Sequence, residues 1–238
     1  TKAGIAAENY PFCTIEPNVG VVEVPDPRLQ QLAEIIHPER IVPAIVEFVD
    51  IAGLVAGASQ GEGLGNQFLA HIRETDAIVN VVRCFEDDNV IHVAGRVDPI
   101  SDIEVIQTEL CLADLGTVEK ALNRYTKAAK SGNDKDAAKL VALLTRIQAA
   151  LNEGKPARSV EITKEEQPLL KSLCLITAKP AMFVGNVSED GFENNPFLDR
   201  LKDYAASQNA PVVAICAKME AEMAEMSDED RDMFLAEM

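Results

Sequence analysis

Asp50 and Gly53 are the residues whose types and spacing most readily do chemistry. An apolar, β-branched run, Ala44 to Val49, stops at Asp50; Gly53 follows, and five glycines stand between positions 53 and 65. A strand that ends on an acid and opens into a glycine-rich loop is how an α/β sheet presents a carboxylate at its ligand edge. Asp-x-x-Gly suits the terminal phosphate of a nucleotide. The carboxylate holds Mg²⁺ through water, and a residue without Cβ lets its amide approach a phosphate oxygen closely. The same spacing also occurs in plain turns, so the rest of the chain must decide.

Three other stretches place polar groups beside apolar runs. Thr14 ends the Pro-stiffened loop Tyr10-Pro-Phe-Cys-Thr14, Asn186-Val187-Ser188-Glu189 follows Ala181 to Gly185, and Cys216-Ala217-Lys218 follows Pro211 to Ile215. These stretches need elements to hold them. Val19 to Val24 reads as a strand closed by Pro25-Asp-Pro27, and Arg28 to Ile36 as a short amphipathic helix. Ala44 to Val49 is a strand close enough to pair antiparallel with the first. Asn66 to Thr75 reads as a helix, and Ala77 to Arg83 as a third strand. From Asp102, apolar residues recur at threes and fours through Tyr125, and after a Ser131-Gly-Asn-Asp134 turn they recur again from Leu140 to Leu151. That is an α-hairpin with coiled-coil character. Thr163-x-x-Glu166 resembles a capping box for one more helix through Leu175. Strand, helix from Pro196 to Ala206, strand, and a helix capped near Ser227 complete the chain. Strands alternating with helices predict an α/β fold with a mostly parallel sheet, into which the hairpin is inserted. The expected divisions are residues 1–101, 102–177 for the insertion, and 178–238.

Composition narrows the function. With 47% hydrophobic and 26% charged residues the chain can bury a real core, and it carries neither a run long enough to span a membrane nor a signal-peptide pattern. Five cysteines without a C-x-x-C pair and three scattered histidines make no zinc or disulfide framework, which points to reduced thiols in the cytoplasm. A net charge of −17 argues against DNA or any polyanion held over the whole surface. The charge is uneven, however. Thr117 to Arg158 holds nine Lys/Arg against four acids, whereas Glu220 to Met238 holds eight acids against Arg231 alone. Lys120, Arg124, Lys127 and Lys130 fall at helical spacing toward the hairpin tip, with Lys135 and Lys139 past the turn. This is either a solvated face or a contact for structured RNA, such as ribosomal RNA.

The order of these stretches resembles a translation-factor-type GTPase: a switch threonine, an Asp-x-x-Gly, a base-reading Asn-x-x-acid, and a loop bearing alanine. Asn9-Tyr-Pro-Phe-Cys-Thr-Ile-Glu-Pro-Asn18, Phe48-Val-Asp-Ile-Ala-Gly-Leu-Val55, Gly61-Glu-Gly-Leu-Gly-Asn66 and Val81-Val-Arg-Cys-Phe-Glu86 make the resemblance specific to the YchF/Obg-like ATPase family, essentially end to end. It implies a GTPase-like P-loop NTPase fold with a coiled-coil insertion, Mg²⁺-dependent ATP hydrolysis, and association with ribosomes. Family members also carry a Gly-x-x-Asn-Val-Gly-Lys-Ser phosphate loop and a C-terminal TGS domain. Neither pattern occurs in this sequence, so the alternative expectation is a catalytically incompetent fragment that binds ribosome or RNA through its hairpin.

The resemblance assigns roles to particular residues. Thr14 and Asp50 would serve Mg²⁺, and Gly53 would sense the γ-phosphate. Leu54 stands where conventional GTPases carry the glutamine that orients water; lacking donor and acceptor, it cannot do so. His92 is the family-like candidate instead, because a neutral imidazole can orient water or accept its proton. An ordinary loop histidine is the other reading. Asn186, Val187 and Glu189 replace the Asn-Lys-x-Asp of a guanine site, which implies ATP preferred over GTP, with Val187 packing on the base. Cys216 and Ala217 would back the base with main-chain amides, unless they merely end a strand.

Overall fold

The computed structural model describes residues 18–51, 64–90, 92, 95–130 and 135–237. In chain order the elements are β1 (Asn18–Glu23), α1 (Pro27–Ile36), β2 (Ile45–Asp50), α2 (Leu64–Glu74), β3 (Ile78–Arg83) and α3 (Pro99–Lys130). They continue with α4 (Lys135–Asn152), α5 (Gln167–Lys171), β4 (Ala181–Asn186), α6 (Pro196–Ser207), β5 (Val212–Ile215), α7 (Ala217–Glu225) and α8 (Asp228–Glu237). The chain forms two compact units, one of Thr1–Ala52 with Met223–Met238, the other of Gly53–Glu222.

In the first unit β1 and β2 pair antiparallel, with Val21 opposite Glu47 and Asn18 opposite Asp50. The chain turns back between them through α1. Asp26 caps that helix by accepting from the Arg28 amide at 3.0 Å, and Pro27 supplies a φ already suited to the first turn. His37 ends it in the left-handed region at φ 49°. The β2 strand therefore delivers Asp50 at its last position.

The second unit is built on a parallel sheet in the order β3-β4-β5. Its strands end level: Arg83 pairs with Asn186, and Asn186 with Ile215. Three loops thus leave one edge of the sheet side by side. Gly185 allows α6 to close on β4, since a Cβ there would lie 2.8 Å from Leu198 Cδ1 and 3.2 Å from Leu201 Cδ2. Phe183 and Tyr204 meet edge to face at 5.8 Å across the same layer.

Between β3 and β4 the chain runs out through the 32-residue α3 and back through the 18-residue α4. Val118, Leu143, Leu144 and Ile147 are all fully buried along the seam, as the three-and-four spacing requires. A polar joint fixes the root of this hairpin. Asp114, 0% exposed on α3, accepts from the amides of Ile176 (2.9 Å) and Thr177 (2.7 Å) and from Thr177 Oγ1 (2.7 Å). Thr177 Oγ1 in turn accepts from the Ala157 amide at 3.0 Å. Arg73 reaches the joint from α2, 3.6 Å from Asp114. Lys179 caps the C-terminus of α2 by donating to the carbonyls of Ile72 and Arg73, each at 2.7 Å, and of Thr75.

The Thr163/Glu166 capping box forms, with the Thr163 amide donating to Glu166 Oε2 at 2.9 Å and the Glu166 amide to Thr163 Oγ1 at 3.3 Å. The helix it opens ends at Lys171, short of Leu175. Cys174 takes a φ of 46°, which no right-handed helix accepts, and this turns Leu175 and Ile176 inward. Helix α7, between β5 and α8, was not anticipated at all. Among the described residues the cysteines are free, with Cys84, Cys111 and Cys216 buried. Burial pushes the Cys84 and Cys111 thiols up to about 11, which suits core residues rather than nucleophiles. Among the described residues no helix is long and apolar enough to cross a membrane.

Candidate functional site

The level strand ends of the second unit gather most of the sequence-predicted residues. Asn186 is the last residue of β4, and its Oδ1 accepts the Ala217 amide proton at 3.0 Å. Two loops 31 residues apart in the chain are thereby tied at one point. Cys216 is 3% exposed, so only its backbone borders the edge. Val187 is 2% exposed and its amide donates to the Ile215 carbonyl at 2.8 Å. Its side chain belongs to the interior beneath the loop. Glu189 leaves the strand end and meets Lys218, in the first turn of α7, at 2.7 Å. That carboxylate raises the Lys218 ammonium above its ordinary range. Both side chains are more than half exposed, so the pair orders the rim more than it stabilises the fold.

Asn195 holds the base of this loop and was not singled out from sequence. It is 9% exposed, and its Nδ2 donates to the carbonyls of Cys84 and Gly191 at 2.9 Å each. Its Oδ1 accepts from the amides of Phe197 and Leu198, at 3.0 and 3.2 Å. One side chain thus caps α6 and ties the Asn186 loop to the end of β3. The signal was available: Asn before Pro196 is a helix start.

The loop that leaves β3 is ordered by Arg83. Its guanidinium donates to the carbonyls of Phe85 (3.0 Å), Val90 (2.9 Å) and Asp87 (3.2 Å) and lies over the Phe85 ring at 4.8 Å. Beyond it, His92 Nε2 lies 2.9 Å from Asp102 Oδ2. The Gly95 amide donates to the His92 carbonyl at 3.0 Å, with Gly95 at φ 74°, a turn that favours glycine.

Asp50 is exposed in the first unit. Thr14, Gly53 and Leu54 lie outside the described residues. Among the described residues no cluster of three or more His, Cys, Asp or Glu could hold a metal by itself. Mg²⁺ needs none, since one carboxylate, waters and nucleotide phosphates satisfy it. An exposed carboxylate at a strand end fits that requirement.

Lys120, Arg124, Lys127 and Lys130 are all exposed on α3. Lys139, on α4, pairs with Glu165 at 3.4 Å, and Arg124 lies over the Tyr125 ring at 5.4 Å.

A family model described as 50S ribosome-binding GTPase matches residues 1–109. A Haemophilus influenzae protein named Ribosome-binding ATPase YchF is 58% identical over all of this chain and 65% of its own length. A Bacillus subtilis protein of the same name is 54% identical over all of this chain and 66% of its length. The solved structure of the Schizosaccharomyces pombe YchF GTPase superposes with a TM-score of 0.77 at 35% identity, covering 96% of this chain and 63% of that one. The chain thus spans about 65% of the length of the curated relatives it matches. The fold is the α/β GTPase-type domain with a long helical insertion.

Proposed function

The chain belongs to the YchF family, and on that premise we propose that it is the nucleotide-reading part of a cytoplasmic, ribosome-associated switch that binds ATP in preference to GTP and hydrolyses it with Mg²⁺. The names of its relatives divide between ATPase and GTPase. Base preference must therefore be argued from this chain's own strand ends.

The observation that carries the reading is the bond from the Ala217 amide to Asn186 Oδ1 at 3.0 Å. Guanine offers an acceptor at O6 beside donors at N1 and its amino group; adenine offers a donor at the amino group beside a bare N1. A guanine site at these strand ends needs an N–H for O6 and a carboxylate for the two donors. Here the amide is spent on Asn186, and one oxygen of the Glu189 carboxylate accepts from Lys218. Adenine, whose amino group is a donor, has no need of that amide. Nδ2 of Asn186 would then be left to donate to N7, which either purine presents. Competition between ATP and GTP tests this preference, and equal competition would refute it.

The phosphate side rests on Asp50, with Thr14 and Gly53 in the roles their positions imply. When bound, Mg²⁺ would neutralise phosphate charge. Asp50 would hold it through water, and His92 would orient the attacking water or take its proton. Residues 102–177 form the inserted arm between the two parts of the nucleotide domain.

The exposed cations of α3 support an RNA contact, because they form one face of an otherwise acidic protein. Reversing Lys120, Arg124, Lys127 and Lys130 to Glu should release the protein from ribosomes in co-sedimentation at physiological salt. Unchanged sedimentation would remove the hairpin from the interface. The alternative reading, a binding module that acts without hydrolysis, predicts the same release but no response of sedimentation to nucleotide.

A further inference from the structure

Cys84 stands one residue beyond β3, and both of its main-chain groups are taken by the loop that follows β4. Its amide donates to the Asn186 carbonyl at 2.7 Å, which fixes the end of β4 from the β3 side. Its carbonyl accepts from Asn195 Nδ2 at 2.9 Å. The same Nδ2 carries a second hydrogen to the Gly191 carbonyl, also at 2.9 Å. Between these points the chain folds tightly. The Gly191 amide donates to the Ser188 carbonyl at 2.9 Å, and Ser188 Oγ donates to Asp190 Oδ1 at 2.9 Å. Gly191 has little room for a side chain, since a Cβ there would lie 3.1 Å from the Ser188 amide nitrogen and 3.2 Å from Asn195 Nδ2. Residues 186–195 therefore form a loop closed on itself, and one buried amide group, that of Asn195, holds it shut.

The two ends of this side chain do different work. Oδ1 caps α6 by accepting from the Phe197 and Leu198 amides, whereas Nδ2 alone closes the loop. We propose that Asn195 is a positioning residue for nucleotide binding: through Nδ2 it holds the loop in the shape in which Asn186 meets the purine. This rests on Asn186 as the base contact proposed above. A loop fixed before its ligand arrives loses none of the binding free energy to its own ordering. With the donor removed, the Cys84 and Gly191 carbonyls turn to water, and residues 187–194 must be ordered each time a nucleotide binds. Asn186 offers the same contact to N7 of either purine, so the loss falls on ATP and GTP alike.

Equilibrium titration of the full-length protein with ATP and with GTP, beside thermal unfolding and steady-state hydrolysis, tests this. Asn195→Ser keeps a capping oxygen at the head of α6 but is too short to reach the Cys84 and Gly191 carbonyls. It should raise both dissociation constants by about 10-fold and leave kcat at saturating ATP unchanged. Gly191→Ala crowds the same loop while leaving the cap in place, and should weaken both nucleotides in the same way. It carries the test alone if Asn195→Ser does not fold. A scaffold role alone predicts the opposite split, a lower melting temperature with both dissociation constants unchanged. That result would overturn the positioning role and leave the adenine preference standing. If wild type binds ATP and GTP equally while the variants weaken both, the adenine preference fails and the positioning role stands.

Discussion

Asp114→Ala should destabilise the second unit by about 3–5 kcal/mol, because it takes the acceptor away from two buried amides and a buried hydroxyl. The carboxylate is 0% exposed and accepts three hydrogen bonds, two of them from the adjacent amides of Ile176 and Thr177. Alanine would leave those amides without their acceptor in a place water does not reach, and would leave Arg73 facing a void. Asp114→Asn keeps one acceptor oxygen but turns an amide donor toward the others, so its loss should be intermediate. Thermal unfolding is the measurement, with a shift on the order of 10 °C expected for Ala in a unit of this size. A change below about 1 kcal/mol would mean that the hairpin root is held by packing alone. The joint also links α2, which follows the Gly-rich loop, to the root of the hairpin through Arg73 and Lys179. Its loss should be felt at both ends.

His92→Ala in the full-length protein should lower kcat by about 10²–10⁴-fold, the usual contribution of a positioned acid–base group. ATP affinity should be unchanged, because His92 lies on the loop from β3 while the proposed base contact, Asn186, lies at the end of β4. Single-turnover hydrolysis beside equilibrium nucleotide binding separates the two quantities. The prediction depends on Leu54, whose side chain offers nothing to a water molecule. Unchanged turnover would return the problem of orienting water to a residue outside this set.

Much of the scaffold was legible because its signals are local. The β-branched runs around Val21 and Phe48 announce two strands separated by one short helix, and antiparallel pairing is the simplest closure. The repeat from Ile103 to Leu151 can bury its apolar stripe only by folding back on itself. Helix α5 came out shorter than read because the backbone reversal at Cys174 leaves no mark in a pattern of apolar residues. Helix α7 was missed because it buries little beyond Met219 and reads as a polar strand end.

At the site, residue types were readable and partners were not. Asn186 and Ala217 were each singled out, but a side chain bonded to an amide 31 residues away has no periodic trace. Asp114 within a helix reads as a solvated acid until the Ile176–Thr177 turn is seen closing over it. Val187 was expected against a base, yet strand alternation and the Ile215 contact put it inside, where it supports the loop. Asp102 looked like nothing more than the start of a helix.

The most direct test of the adenine reading is displacement of bound ATP by GTP, followed by titration calorimetry in the presence of Mg²⁺. A guanine that finds the Ala217 amide already engaged leaves its O6 without that donor, at a cost of about 1–3 kcal/mol. GTP should therefore compete about 10–100-fold less well than ATP. Displacement by GTP at the same concentration as ATP would contradict an adenine-selective site at the ends of β4 and β5.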